Sequence, residues 1–239
     1  MENLVDLHAH ILPGLDDGSE DLSGSLKMLE FLQEMGFRHV FATPHHQLYP
    51  WRGIEPEMVE NGVRDLSLAA SENGISVNIL PGMEFDFDEI MPERLPTMPG
   101  KAGHLLVDVG FLSVPRDLAG LLEKVMDTGT EVLLVHPERN HELCRSRRKL
   151  SDLTASGIRL LGNIGSLSGM YGQKVQRDAR DLLKEGYYWA MASDMHSHDQ
   201  APWIRDGIDN LVSLAGKPAA EEMMVIRPMQ IVRAMEGDR

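Results

Sequence analysis

Histidines and isolated carboxylates recur in short clusters along this sequence: Asp6-Leu7-His8-Ala9-His10, Asp16-Asp17, His45-His46, Glu84, Asp108, His136 and Asp194-Met195-His196. Neutral imidazole with carboxylate is a donor set for zinc, manganese or iron, and the soft thiolates of a cysteine site are missing. A carboxylate such as Glu84 can bridge two ions. Paired ions about 3.5–4 Å apart clamp the attacking and leaving oxygens of a phosphoryl displacement. His8 and His10 are two residues apart, as are Asp194 and His196, so each pair shares one face of an extended strand end. A lone His-x-His is weak in a chain with ten histidines, and 196–198 supplies a second one. The weight lies in the recurrence.

The elements that must position these groups alternate along the chain. Strands are predicted at 4–8, 39–43, 76–81, 104–109, 131–136, 158–163 and 188–193, each apolar and bounded by Gly, Pro or charge. Helical patterns lie at 22–35, 56–72, 116–127, 149–155 and 175–184, and two more, at 204–214 and 229–235, close the chain. Gly36, Gly74, Gly129, Gly157 and Gly186 follow helical runs, as helix-ending glycines do. Seven β-then-α repeats predict an α/β fold with a parallel sheet, closed into a barrel rather than left open and doubly wound. Sites in such folds form at the C-terminal rim of the strands, where the His and acid clusters fall. Closure would also set the last strand beside the first. No linker interrupts the series, so residues 1–239 read as one domain.

Composition narrows the class. With 23 Lys and Arg against 37 Asp and Glu, the net charge is −14. That opposes binding to a nucleic-acid backbone, which needs a basic face. No apolar run approaches about 20 residues, so membrane insertion is not expected. The start, Met1-Glu2-Asn3-Leu4-Val5-Asp6, lacks the basic and apolar regions of a signal peptide. A single cysteine, Cys144, excludes an internal disulfide and suits a cytoplasmic protein.

Taken together, the segments at 6–18 (Asp-Leu-His-Ala-His-Ile-Leu-Pro-Gly-Leu-Asp-Asp-Gly), 42–46 (Ala-Thr-Pro-His-His), 80–84 (Leu-Pro-Gly-Met-Glu), 136–140 (His-Pro-Glu-Arg-Asn) and 192–196 (Ala-Ser-Asp-Met-His) resemble the PHP (polymerase and histidinol phosphatase) superfamily. Within it, the chain is most similar to the bacterial metal-dependent protein-tyrosine phosphatases of capsule and exopolysaccharide operons, in order from about residue 3 to about 235. The resemblance implies a distorted TIM-like (β/α)7 barrel of the PHP type, with three divalent metal ions, manganese preferred and zinc or iron possible. One ion would take His8, His10, Glu84 and Asp194; a second would share Glu84 and add Asp108 and His136; a third would take Asp17, His45 and His196. Glu84 and Asp194 would thus stand at the catalytic centre, around a hydroxide bridging the ions. Arg139 would bind the phosphoryl group and stabilise the charge of the transition state.

Two positions depart from that pattern. Asp108 stands where the relatives usually carry Glu, and Ala201 where a second phosphate-binding Arg is usual. Arg205, one helical turn on, is the candidate substitute, the alternative being that phosphate is bound with less help. The implied substrate is a phosphotyrosine-bearing protein, a bacterial tyrosine kinase regulating capsule or exopolysaccharide synthesis; the alternatives are a histidinol-phosphatase-type small-molecule phosphoesterase and a catalytically dead regulatory module. The oligomeric state is not specified by the sequence. A cysteine phosphatase loop needs Arg six residues after Cys144, and that position is Leu150. Asp86-Phe87-Asp88 reads as a rim segment, the basic run at 145–149 as a solvated helix face, and His39, His104, His141 and His198 as structural or surface residues. His46 is a candidate to support the ligands, and the 47–54 loop with Tyr49 and Trp51 a candidate to stack on a substrate ring.

Overall fold

The computed structural model describes residues 1–46, 53–90 and 103–237, with the backbone alone at Glu89. Tyr49 and Trp51 of the ring-stacking loop lie outside the described residues. Seven parallel staves make the centre: β1 (Leu4–Ala9), β2 (Phe37–Ala42) continued by β3 (His45–His46), β4 (Asn78–Pro81) continued by β5 (Glu84–Asp86), β6 (His104–Asp108), β7 (Glu131–Val135), β8 (Arg159–Asn163) and β9 (Tyr188–Ala192). Pairing runs β1–β2–β4 and then β3–β5–β6–β7–β8–β9. A parallel bridge between Ala9 and Met195 joins the first stave to the segment after the last. The Asp194 N–H donates to the His8 carbonyl (2.8 Å) and the His10 N–H to the Met195 carbonyl (2.9 Å), so the sheet closes into a distorted barrel.

The seven expected staves are present within a residue or two of their predicted ends. The breaks in the second and third were not expected. Pro44, which has no N–H to give a ladder, separates β2 from β3. Gly82 separates β4 from β5 at a point where a Cβ would come within 2.8 Å of Thr43 Cγ2. Around the staves lie α1 (Leu22–Glu34), α2 (Pro56–Glu72), α3 (Leu118–Met126), α4 (His141–Arg145), α5 (Arg147–Ala155), α6 (Ile164–Ser168), α7 (Gln173–Lys184), α8 (Ala201–Ala215), α9 (Lys217–Glu221) and α10 (Pro228–Glu236). The sequence did not disclose α4, α6 or α9, because five residues span too little of the 3.6-residue period to show it. Among the described residues no helix is long and apolar enough to cross a membrane.

Alternation along the staves explains where the chemistry ends up. Val5, Leu7, Phe41, Leu106, Leu133, Val135, Leu161, Ala190 and Ala192 form an inner cluster, joined by Ile231 and Val232 of α10. Val40, Leu105, Val107, Val132, Leu134, Leu160 and Met191 have the opposite parity and pack in the larger cluster that includes the helices. Each fully buried Val or Leu contributes roughly 1.5–3 kcal/mol to either layer. Carried two residues further, the inner parity leads from Leu106 to Asp108, from Leu161 to Asn163 and from Ala192 to Asp194. Phe85 belongs to the outer cluster, so Glu84 before it turns inward. The barrel interior therefore changes from apolar to polar at the C-terminal ends of its staves.

Candidate metal centre

Four buried side chains converge at that change. The Nε2 atoms of His8 and His10 face one another at 3.1 Å. Glu84 Oε2 lies 3.4 Å from the first and 3.5 Å from the second, and Asp194 Oδ1 lies 3.5 Å from both. These five separations, 3.1 to 3.5 Å, are those expected between donor atoms that share one divalent ion at about 2.0–2.2 Å from imidazole and carboxylate. The donor set and its spacing fit a metal ion.

Two further groups adjoin it. Glu84 Oε1 is 3.0 Å from His136 Nε2, and His136 Nδ1 is 3.9 Å from Asp108 Oδ1, so Glu84 spans the first group and a second. The shorter Asp108 side chain is also engaged with its own loop, accepting from the Gly110 N–H at 2.7 Å. Asp17 Oδ1 lies 3.3 Å from His45 Nε2 and 3.5 Å from His196 Nε2, which makes a third group beside His10. The Asp17 side chain is 41% exposed while Glu84 is 1% exposed, so the third group forms the open side of the centre.

Electrostatics point the same way. Burial opposes ionisation of Glu84 and Asp194, yet the surrounding imidazoles outweigh it and hold both carboxyls well below the usual carboxylate range. Burial likewise resists protonation of His136, but Asp108, Glu84 and Asp194 raise its pKa to about 9. The buried carboxylates require positive charge among them, which protons or metal cations can supply. His136 (φ +35°) and Asp194 (φ +51°) also hold left-handed backbone conformations, at a cost on the order of 1–3 kcal/mol each. Main-chain bonds enforce both: His136 N–H to the Leu161 carbonyl (2.7 Å) and Asp194 N–H to that of His8.

The groups border a cavity of about 520 Å³ in which Arg139 is the one permanent cation among the described lining residues. Its guanidinium lies between two aromatic faces, 4.4 Å from the Phe111 ring centroid and 4.2 Å from that of Tyr171, and donates to Asp194 Oδ2 at 3.2 Å. Sequence reasoning gave no role to several supporting residues. Asp16 Oδ2 accepts from His10 Nδ1 at 2.7 Å, fixing which nitrogen of that ring faces the other donors. Asn163 Nδ2 (2.6 Å) and the Tyr171 hydroxyl (3.2 Å) donate to Asp194 Oδ2. The Gln200 side chain accepts from the His196 N–H at 2.7 Å. Gly18 lets the 16–18 turn close on β1, because a Cβ there would lie 2.1 Å from the His10 carbonyl oxygen. Asn163 ends β8 and Asp16 adjoins the expected ligand Asp17, so both carried a positional signal. Tyr171 follows a five-residue helix and carries no spacing signal.

One expected residue falls elsewhere. Arg205 is 58% exposed on α8 with its guanidinium 3.8 Å from Glu34 of α1, and it does not line the cavity. One turn beyond Ala201, it lies on the side of α8 that meets α1 rather than at the rim of the cavity. His104 instead meets Glu131 at 2.7 Å, on the first residue pair of β6 and β7. Within the basic run, three cations meet the protein's own acids: Arg147 meets Glu185 (2.5 Å), Arg148 meets Asp152 (3.7 Å) and Lys149 meets Glu142 (3.3 Å). His46 packs its ring against Phe85 at 4.8 Å.

Comparison with known proteins adds to this geometry. A family model described as capsular polysaccharide synthesis, CpsB/CapC, matches residues 4–233. The chain is 28% identical over 198 residues to the tyrosine-protein phosphatase YwqE of Bacillus subtilis, covering 81% of this chain and 78% of that protein. It is 22% identical to the tyrosine-protein phosphatase CpsB of Streptococcus pneumoniae, covering 96% and 98%. Among solved structures, one described with YwqE and CpsB as metal-dependent tyrosine phosphatases superposes with a TM-score of 0.87 at 24% identity, over 97% of this chain and 95% of that one. The histidinol phosphate phosphatase of Lactococcus lactis shares the fold at a TM-score of 0.57 and 14% identity, over 90% and 95%.

Proposed function

Because this chain belongs to the CpsB/CapC family of capsular polysaccharide synthesis, we propose that it is a metal-dependent phosphomonoesterase that hydrolyses phosphotyrosine on a protein. The single observation that carries this reading is the convergence of three imidazole–carboxylate groups on one cavity, with Arg139 facing it. Its relatives YwqE and CpsB are named as tyrosine-protein phosphatases, which favours a phosphotyrosyl protein over a small ester. Residues 1–239 would act as one cytoplasmic domain, and the substrate would be a tyrosine kinase that regulates capsule or exopolysaccharide synthesis.

The residues divide the work as follows. His8, His10, Glu84 and Asp194 would hold one divalent ion, Glu84, Asp108 and His136 a second, and Asp17, His45 and His196 a third, with manganese favoured. Ions there would supply Lewis acidity toward phosphoryl oxygens and a water acidic enough to lose its proton near neutral pH. Arg139 presents a planar fork to the non-bridging oxygens as their charge develops, and its two aromatic neighbours keep that fork in place before substrate arrives. Asp194 is shared between the ligand set and Arg139, so the phosphate clamp and the ligand cage are built on one carboxylate. Water attacks phosphorus, the bond to the phenolic oxygen breaks, and tyrosine and inorganic phosphate leave.

The test is a comparison of substrates on the manganese-loaded protein. Turnover of a phosphotyrosyl peptide with kcat/KM at least about 100-fold above that for histidinol phosphate is the expected result, a gap of nearly 3 kcal/mol in transition-state binding. Preference for histidinol phosphate, or silence on both, would overturn the assignment.

A further inference from the structure

Phe111 is an apolar ring at the mouth of an otherwise polar cavity. It is 49% exposed, on a protein of net charge −14, and its centroid lies 6.2 Å from the ring of His136. One face carries the Arg139 guanidinium at 4.4 Å. The backbone beneath it is fixed at successive residues. Gly110, at φ +67°, donates its N–H to Asp108 and receives the Asn140 side chain on its carbonyl at 2.9 Å; the Phe111 carbonyl accepts from the His141 N–H at 2.8 Å. An exposed phenylalanine held in place by that many bonds, and stacked on the one permanent cation lining the cavity among the described residues, is a preformed surface.

We infer that Phe111 is a specificity-determining residue for aryl phosphates: Arg139 takes the phosphoryl group, and the open part of the Phe111 ring packs against the phenyl ring joined to phosphorus through a single oxygen. This rests on the phosphotyrosine reading above and adds to it the residue that recognises the aromatic part. With the phosphoryl group on Arg139, whose guanidinium is 4.4 Å from the Phe111 centroid, the phenyl substituent would stand beside Phe111, and ring pairs attract at centroid separations of about 4.5–7 Å. An alkyl ester reaching the same Arg139 has no ring to offer. The loop 110–112 then couples recognition to the ligand set, because Asp108 holds its first residue.

Binding of phenylphosphonate and methylphosphonate, which share the phosphoryl head and are not hydrolysed, tests this by calorimetry on the metal-loaded protein. Wild type is expected to prefer the aryl ligand. Phe111→Ala should shrink that preference about tenfold, and Phe111→Tyr should restore it, as expected for a lost ring–ring contact with its buried area. Equal weakening of both ligands in Phe111→Ala would overturn the inference, since the ring would then act only by holding Arg139. An unchanged preference would overturn it as well. If wild type binds neither ligand, the phosphoryl reading of the cavity fails first, and the inference fails with it.

Discussion

Glu138→Ala removes a buried hub beneath the centre, and its cost can be worked from the geometry. The Glu138 side chain is 1% exposed and accepts three hydrogen bonds: Asn163 N–H (2.9 Å) and Ser166 hydroxyl (2.8 Å) on Oε1, and Tyr188 hydroxyl (3.0 Å) on Oε2. It thereby ties the turn that carries His136 and Arg139 to β8, α6 and β9. Alanine leaves three buried donors without an acceptor, at roughly 1–3 kcal/mol apiece, so the expected loss is about 5 kcal/mol. Tyr188→Phe deletes one donor and leaves the carboxylate two partners, for a loss of about 1–2 kcal/mol. The double variant should be no less stable than Glu138→Ala alone, because the second change removes a hydroxyl already stranded; the pair is non-additive by about 1–2 kcal/mol. Urea unfolding in chelator, which removes any metal contribution to stability, reads this as a midpoint roughly 1.7 M lower for Glu138→Ala at a slope near 3 kcal/mol/M. Burial and the adjacent carboxylate push the Tyr188 phenol well above its ordinary value. The neutral phenol's contribution is therefore whole below about pH 10 and lost as pH rises through the folded value, a slope absent in Tyr188→Phe. A Glu138→Ala loss under about 2 kcal/mol, or strict additivity, would refute the hub.

Asp16→Asn weakens the acceptor that orients His10, and manganese affinity should fall about 10–100-fold in competition with a chromogenic chelator; unchanged affinity would remove Asp16 from the support of the ligands. Burial, with Asp178 and Glu138 nearby, pushes the Cys144 thiol up to about 12. Alkylation of Cys144 in the native protein should therefore accelerate about tenfold per pH unit through pH 11 without a plateau, and a plateau near pH 8 would contradict that environment. Arg205→Ala should leave kcat/KM for a phosphotyrosyl peptide within about twofold of wild type, as for a surface change, whereas a larger loss would return Arg205 to the substrate.

The strand ends and their ligands were legible because two strong signals coincide there. Apolar β-runs stop at Asp108, His136 and Asp194, and those residue types have few reasons to recur at such positions. The breaks at Pro44 and Gly82 were visible as residues but not as interrupted staves, since periodicity does not register two- and three-residue strands. The support for the centre was harder to read. Asp16 and Asn163 act through hydrogen bonds to His10 and Asp194, a property of distance rather than spacing, and Tyr171 reaches Arg139 from a turn with no period at all. Arg205 shows the reverse failure: proximity in sequence to the rim suggested a role, and the direction of one helical turn sent the side chain to Glu34 instead.

The most direct test strips the protein of metal, resupplies manganese, and follows hydrolysis of a phosphotyrosyl peptide beside elemental analysis, with His136→Ala as the paired variant. The account predicts that turnover disappears on stripping and returns with manganese. It also predicts that His136→Ala, which takes from Glu84 Oε1 its 3.0 Å partner, binds less metal and loses at least about 100-fold in kcat. Full turnover by the stripped protein, or by His136→Ala, would contradict it.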